Sequence, residues 1–304
     1  EKSIVDKITH ETLSLLFMQE LNEQFNGKLS LAIHIFTNNY KKKFLHQLVS
    51  SQLDMDRLDY LKRDSFYSGV QEGVIGTERI INMLNVVDDN LVIEEKGIYS
   101  IEKFLIARRL MYWQVYLHKT VLSAENTLIK ALKRAKELIT NDSGVFTTPA
   151  LLFFLKNKFR KKDFENTPEL LHQFAQLDDH DIFCSLKQWV KHEDLVLSSL
   201  SSMIINRKLL KVKIQQKPFS KKEISKHQTE VMKQLNISKE KANFFVFSDK
   251  VSNRAYNYEK AKINILMKDG SIKEIKDATD HLLNEIISKK VNKFFLCYPD
   301  LNQM

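Results

Sequence analysis

The sequence is short of residues that break or staple a chain. Its 304 residues include seven glycines and four prolines. So few turn formers exclude a loop-rich or collagen-like architecture and point to a largely helical chain. Only two cysteines occur, Cys184 and Cys297, far apart and without metal-ligand spacing. That excludes a disulfide scaffold and a cysteine-based metal site, and a reduced, cytoplasmic setting is expected. No apolar run reaches membrane-spanning length and no signal-peptide pattern is visible, so no membrane partner is expected. Internal repeats and low-complexity tracts are also missing.

What is present is the composition of a globular protein, 43% hydrophobic and 28% charged, long enough for two or three domains and a sizeable core. The formal charge of +9 suits an anionic partner, nucleotide or nucleic acid, without choosing between them. The short clusters Lys41–Lys43 and Arg160–Lys162 read as solvated basic surface rather than a duplex-binding site. The first residue is Glu1, not Met, so the chain is expected to begin inside a longer protein.

One stretch carries recognisable chemistry. Leu53–Asp64 reads LDMDRLDYLKRD, without Gly or Pro and rich in helix formers. At helical spacing Asp56, Tyr60 and Asp64 fall at i, i+4 and i+8 on one face with Arg57 beside them, while Leu58 and Leu61 fall on another. A carboxylate can ligate a metal, a guanidinium can clamp a phosphate through two hydrogen bonds, and a tyrosine can pack on a sugar and hydrogen-bond it. On composition alone the same face is also readable as charged residues laced by i,i+4 pairs.

The string, followed by Gly69, resembles the last motif of the HD-domain phosphohydrolases, and most closely their dNTP triphosphohydrolase branch. The resemblance implies that Asp56 is the final metal ligand, that Arg57 faces the substrate phosphates, and that Tyr60 and Asp64 contact the sugar. It also covers Thr9-His10-Glu11 upstream, implying that His10 lies near the scissile phosphate and that Glu11 supports a catalytic histidine. A divalent metal (Fe, Mn, Mg, Ni or Zn) is implied as cofactor. The chain departs from the pattern in one respect: no His-Asp pair precedes Asp56. His180-Asp181 follows the motif, so family order excludes it as the metal pair, and it reads as a turn or helix cap. The missing ligands are expected upstream of Glu1, with their loss as the alternative.

A second helix is predicted from Ile101 to Ile139. Arg108, Tyr112, Tyr116 and Lys119 fall at i, i+4, i+8 and i+11, within one narrow arc. Charges alternating with rings suit a nucleotide, or else a buried aromatic stripe with snorkelling basic tips. The Arg-x7-Tyr-x-His-Lys spacing is similar to that of the same branch, implying that Arg108 binds phosphate and Tyr116 packs against the sugar. Tyr112 stands where eukaryotic relatives have His, and Ser65-Phe66-Tyr67 replaces a Cys-His-His run, which bears on base and sugar preference.

Elsewhere the pattern predicts a helix over residues 4–25 capped by Thr9 or Thr12, and one over Thr77–Leu84 capped by Thr77. A hairpin is expected around Asp88-Asp89-Asn90, and helices over Lys221–Gln234 and Ala278–Ser288. Strands are expected in KANFFVFSDKV, INILMKDGSIKEI and VNKFFLCYP, with a turn at Lys268-Asp269-Gly270. The fold expected is mainly α: residues 1–140 as the C-terminal part of an HD-domain helical core, 141–217 as a helical extension, 218–304 as a small α+β domain for assembly or regulation. The function expected is metal-dependent hydrolysis of deoxynucleoside triphosphates to deoxynucleoside and triphosphate, in a homodimer or higher homo-oligomer. The alternative is a catalytically silent nucleotide-binding or assembly protein. Nucleic-acid binding rests only on the positive charge.

Overall fold

The computed structural model describes residues 5–6, 8–253, 256, 261–279 and 290–302. The fold is mainly α, with small sheets. The chain forms two compact units, each assembled from separated segments. The first takes Glu1–Leu21, Lys119–Lys250 and Lys293–Met304; the second takes Asn22–His118 and Val251–Asn292. None of the described helices is long and apolar enough to cross a membrane.

In the first unit the long helix Lys119–Thr140 buries Leu122, Thr127, Ala131, Ala135 and Leu138, a stripe at helical spacing. It packs on Leu195–Ile205, whose N-cap, Asp194, accepts the Leu197 amide at 2.9 Å. Asp194 also takes two hydrogen bonds from Arg134, at 2.7 and 3.1 Å. Burial alone would raise the pKa of Asp194, but the Arg134 and Leu197 bonds outweigh it and hold the carboxyl below its ordinary range. A second cluster centres on Phe154 and Phe164, with Leu13, Leu170 and Leu171. Full burial of a side chain such as Phe or Leu contributes about 1.5–3 kcal/mol relative to leaving it exposed.

An apolar core of the second unit is built from Leu58 and Leu61 of the helix Met55–Ser68, Ile101, Phe104, Leu105 and Met111 of Ile98–Met111, and Ile93, Ile265 and Tyr256. Its sheet runs in the spatial order Leu84–Val87, Asn90–Glu94, Asn264–Leu266, Ile272–Glu274. The middle pair is parallel and the outer pairs antiparallel. The predicted hairpin forms with Val87 opposite Asn90, and Asp88 and Asp89 both take positive φ, 48° and 59°. That is the two-residue turn whose twist matches its strands. The turn before Ser271 forms as well, with Met267 N donating to Ser271 O at 2.8 Å.

Several expectations need correction. The first helix is His10–Gln24, with the Thr9 hydroxyl taking the Thr12 amide at 3.3 Å. Val5–Asp6 before it is a short strand pairing in parallel with Phe159–Arg160. The helix at Thr77 ends at Asn82, because Leu84 enters the sheet, and its N-cap is Gly76; Thr77 makes no capping bond. In KANFFVFSDKV only the second half is strand, Phe247–Asn253; the first half closes a helical turn, Lys239–Ala242, and buries Phe245 and Val246. The predicted Ile101–Ile139 helix is two helices, Ile98–Met111 and Lys119–Thr140, joined through a π-helical turn at Tyr112–Tyr116. There Leu117 N reaches back to Tyr112 O at 2.7 Å, five residues earlier. A short helix spans Ile275–Ala278; the rest of the helix expected over Ala278–Ser288 lies, from residue 280, outside the described residues.

Candidate active site

The motif helix Met55–Ser68 starts on a tight cap. Asp54 takes extended backbone angles, and its Oδ1 accepts the Arg57 amide at 2.9 Å. Its Oδ2 accepts the Ser51 amide at 3.2 Å and Arg57 Nε at 3.1 Å. Arg57 Nε also donates to Ser51 O at 3.0 Å. The two aspartates of Asp-Met-Asp therefore differ in kind. Asp54 is buried and occupied by the cap and by Arg57, whereas Asp56 is exposed on the helix.

Leu58, Leu61 and Ser65 form the inner face of this helix. Tyr60 and Asp64 lie half-buried at its flank, and Asp59 and Arg63 pair on the exposed side. Close packing sets the helix against Ile98–Met111. Ser65 Oγ donates to Val70 O at 2.7 Å, and Gly73 sits where an added Cβ would lie 2.7 Å from both the Met111 sulfur and the Ser65 Cβ. Only glycine fits that contact. Gln114 then ties the π turn down, donating to Glu72 Oε1 at 2.9 Å.

The π turn presents its tyrosines to the motif helix. The Tyr116 hydroxyl donates to Asp64 Oδ2 at 2.7 Å. The Tyr116 ring lies edge-on to Tyr60 at 5.9 Å and to Tyr112 at 5.2 Å. The Arg108 guanidinium lies 5.9 Å from the Tyr112 ring centroid, and its Nη1 donates to Gln52 Oε1 at 3.1 Å. Burial, and then the bond to Asp64, push the Tyr116 phenol well above its ordinary range. Burial and the neighbouring Tyr112 raise Tyr60, against the pull of Arg108 and Arg57. Both phenols are therefore protonated, hydrogen-bonding groups at neutral pH.

Six residues singled out from the sequence thus fall in one unit: Arg57, Tyr60 and Asp64 from the motif helix, and Arg108, Tyr112 and Tyr116 from the helix and π turn facing it. Chemically they offer guanidinium donors for phosphate oxygens, rings for the apolar face of a sugar, and a carboxylate for a hydroxyl. Asp56 belongs to the same unit. Among the described residues no three His, Cys, Asp or Glu side chains group as metal ligands, so Asp56 offers one carboxylate and no complete centre is assembled around it. His10 and Glu11 lie in the first unit, exposed, with Nε2 and Oε1 3.2 Å apart. His180-Asp181 is a cap as expected: Asp178 starts the helix Asp179–Trp189, and Asp181 accepts the Asp178 amide at 2.8 Å.

Sequence reasoning missed Ser51, Gln52 and Asp54. Asp54 carried a usable signal, an Asp immediately before a helical run, three residues ahead of Arg57. Gln52 carried none, because an amide ahead of a cap has no pattern of its own.

Residues 75–148 match the family model described as "HD associated region". A crystal structure of a phosphohydrolase from Bacteroides thetaiotaomicron superposes with a TM-score of 0.93 at 52% identity, covering 98% of this chain and 74% of that one. The Bacillus subtilis protein YwfO is 31% identical over 272 residues, covering 87% of this chain. This chain spans 60% of the length of YwfO. A Dictyostelium discoideum protein named as a deoxynucleoside triphosphate triphosphohydrolase SAMHD1 homolog is 25% identical over 133 residues, 43% of this chain and 26% of that protein. The Bacteroides enzyme combines high identity with coverage of most of both chains, and the HD-associated match falls on the segment that carries Arg108, Tyr112 and Tyr116. This chain belongs to the HD phosphohydrolase family.

Proposed function

We propose that this chain is the nucleotide-facing part of a metal-dependent phosphohydrolase that converts deoxynucleoside triphosphates to deoxynucleoside and triphosphate. The observation that carries this reading is the bond from Tyr116 to Asp64, with Tyr60 edge-on beside it. A carboxylate and a protonated phenol locked together leave a polar acceptor beside a flat ring wall. That combination suits a sugar with a hydroxyl at one position and no room at the next. Arg57 and Arg108 supply cations for the phosphates. In this reading Asp56 is one ligand of a divalent metal completed by residues other than those described. A bound divalent ion would polarise the scissile phosphate and activate water. The protein works in the cytoplasm as a homodimer or larger homo-oligomer.

The test is release of triphosphate from each deoxynucleoside triphosphate in the presence of Mn, Mg, Fe, Ni or Zn, with wild type and Asp56→Ala. Metal-dependent release by wild type, abolished in a folded Asp56→Ala, is the expected result. Normal turnover and metal content in Asp56→Ala would remove Asp56 from the metal site. Tight nucleotide binding by wild type without any release would favour the alternative, a catalytically silent nucleotide-binding protein.

A further inference from the structure

Gln52 is an uncharged side chain in an expensive position. It is 7% exposed, just ahead of the motif helix, and its Oε1 accepts Arg108 Nη1 at 3.1 Å. A buried amide keeps its place only where its polar atoms are used. Two residues on, Asp54 holds Arg57 Nε at 3.1 Å, and the Ser51 carbonyl takes the same nitrogen at 3.0 Å. Arg57 and Arg108 come from different helices, yet both are mounted on the turn Ser51–Asp54.

The two mounts differ in charge. Asp54 orients Arg57 and offsets part of its charge. Gln52 orients Arg108 without neutralising it. Arginine has many rotamers, and fixing one before the ligand arrives lowers the entropy lost on binding. A carboxylate at position 52 would fix Arg108 equally well but would compete with an incoming anion.

We propose that Gln52 is a positioning residue that aims the Arg108 guanidinium at the phosphates of the substrate, and that an uncharged side chain at this position holds Arg108 without itself competing with the incoming anion. This rests on the reading above that Arg108 faces phosphate. Asp54 plays the matching part for Arg57, as orienter and partial counter-charge. The turn Ser51–Asp54 is thus a common mount that gives Arg57 a carboxylate and Arg108 an amide.

The experiment is calorimetric titration of the full chain with inorganic triphosphate and, separately, with a deoxynucleoside. Gln52→Met keeps the volume and removes the acceptor; Gln52→Glu keeps the acceptor and adds charge. Gln52→Met is expected to lose about tenfold in triphosphate affinity, the scale of one hydrogen bond to a charged group. Gln52→Glu is expected to lose more, and both should bind the deoxynucleoside as wild type does. If Gln52→Met fails to fold, Gln52→Glu carries the test alone. Wild-type triphosphate affinity in the Gln52 variants, with affinity lost in Arg108→Ala, overturns the role of Gln52 and leaves that of Arg108 standing. Wild-type affinity in Arg108→Ala overturns both. Equal losses for triphosphate and deoxynucleoside make Gln52 a packing residue and overturn the proposal.

Discussion

Two aromatic clusters in this molecule pack with the same ring spacing and differ in chemistry. In the first unit Phe153 and Phe159 lie 5.2 Å apart, and Phe154 and Phe174 5.9 Å apart. In the second, Tyr112 and Tyr116 lie 5.2 Å apart, and Tyr60 and Tyr116 5.9 Å apart. The difference is in what surrounds the rings. Phe154 and Phe164 are sealed among leucines, at 0% and 2% exposure. The tyrosines are half-buried, carry hydroxyls, and have Asp64 and Arg108 as neighbours. Ring packing alone builds a core. In the function proposed above, ring packing with a carboxylate and a guanidinium beside it serves a ligand that is partly flat and partly anionic.

The comparison breaks most sharply on stability. Phe154→Ala removes the ring at the centre of the first cluster and is expected to cost about 3–5 kcal/mol, read as a fall in the denaturant midpoint. The turnover ratio between matched deoxy- and ribonucleoside triphosphates should not change in the folded fraction. A changed ratio would mean that the phenylalanine cluster shapes the site as well as the core.

Tyr116→Ala tests the converse. It opens the ring wall and is expected to bring the deoxy-to-ribo turnover ratio toward one, at a smaller stability cost than Phe154→Ala. A clear wild-type preference that survives the substitution would remove the tyrosines from sugar selection. Asp64→Asn is the milder version, because a neutral amide replaces a charge-assisted acceptor while the ring stays. A loss of about 1–3 kcal/mol in binding of the deoxy substrate is expected, absent with a 3′-deoxy analogue. The same loss with that analogue would assign Asp64 to some other contact.

The smallest effect comes from pH, which should act with opposite sign on Asp194 and on the two tyrosines. Asp194 has its folded pKa lowered, so its contribution is full above the ordinary carboxylate range and is lost as pH falls through the folded value. Tyr60 and Tyr116 have theirs raised, so the second unit loses stability as pH climbs past the ordinary phenol value, about 10. Arg134→Met should flatten the acid limb and leave the alkaline limb alone; Tyr116→Phe should do the reverse. Fluorescence-monitored unfolding across pH distinguishes them, and a single limb removed by both variants would contradict the separation.

Most of what the sequence determined is local. Helical spacing put Asp56, Tyr60 and Asp64 on one flank of the motif helix and Leu58 and Leu61 on its inner face, because 3.6 residues per turn needs no tertiary information. The Asp88-Asp89 hairpin and the Asp181 cap were legible for the same reason: turn and cap chemistry lies within a few residues. Tertiary structure decided what depends on distant partners. Helix propensity does not stop at Tyr112, so the π turn is invisible to it; that turn forms where Gln114 meets Glu72 and Gly73 packs under Met111. The bond from Tyr116 to Asp64 spans 52 positions and that from Arg108 to Gln52 spans 56, beyond any periodicity. The interleaving of the two units from separated segments is likewise a matter of long-range burial. The motif's residue types and their helical face were written in the chain; which hydroxyl, amide and guanidinium they meet was settled by packing.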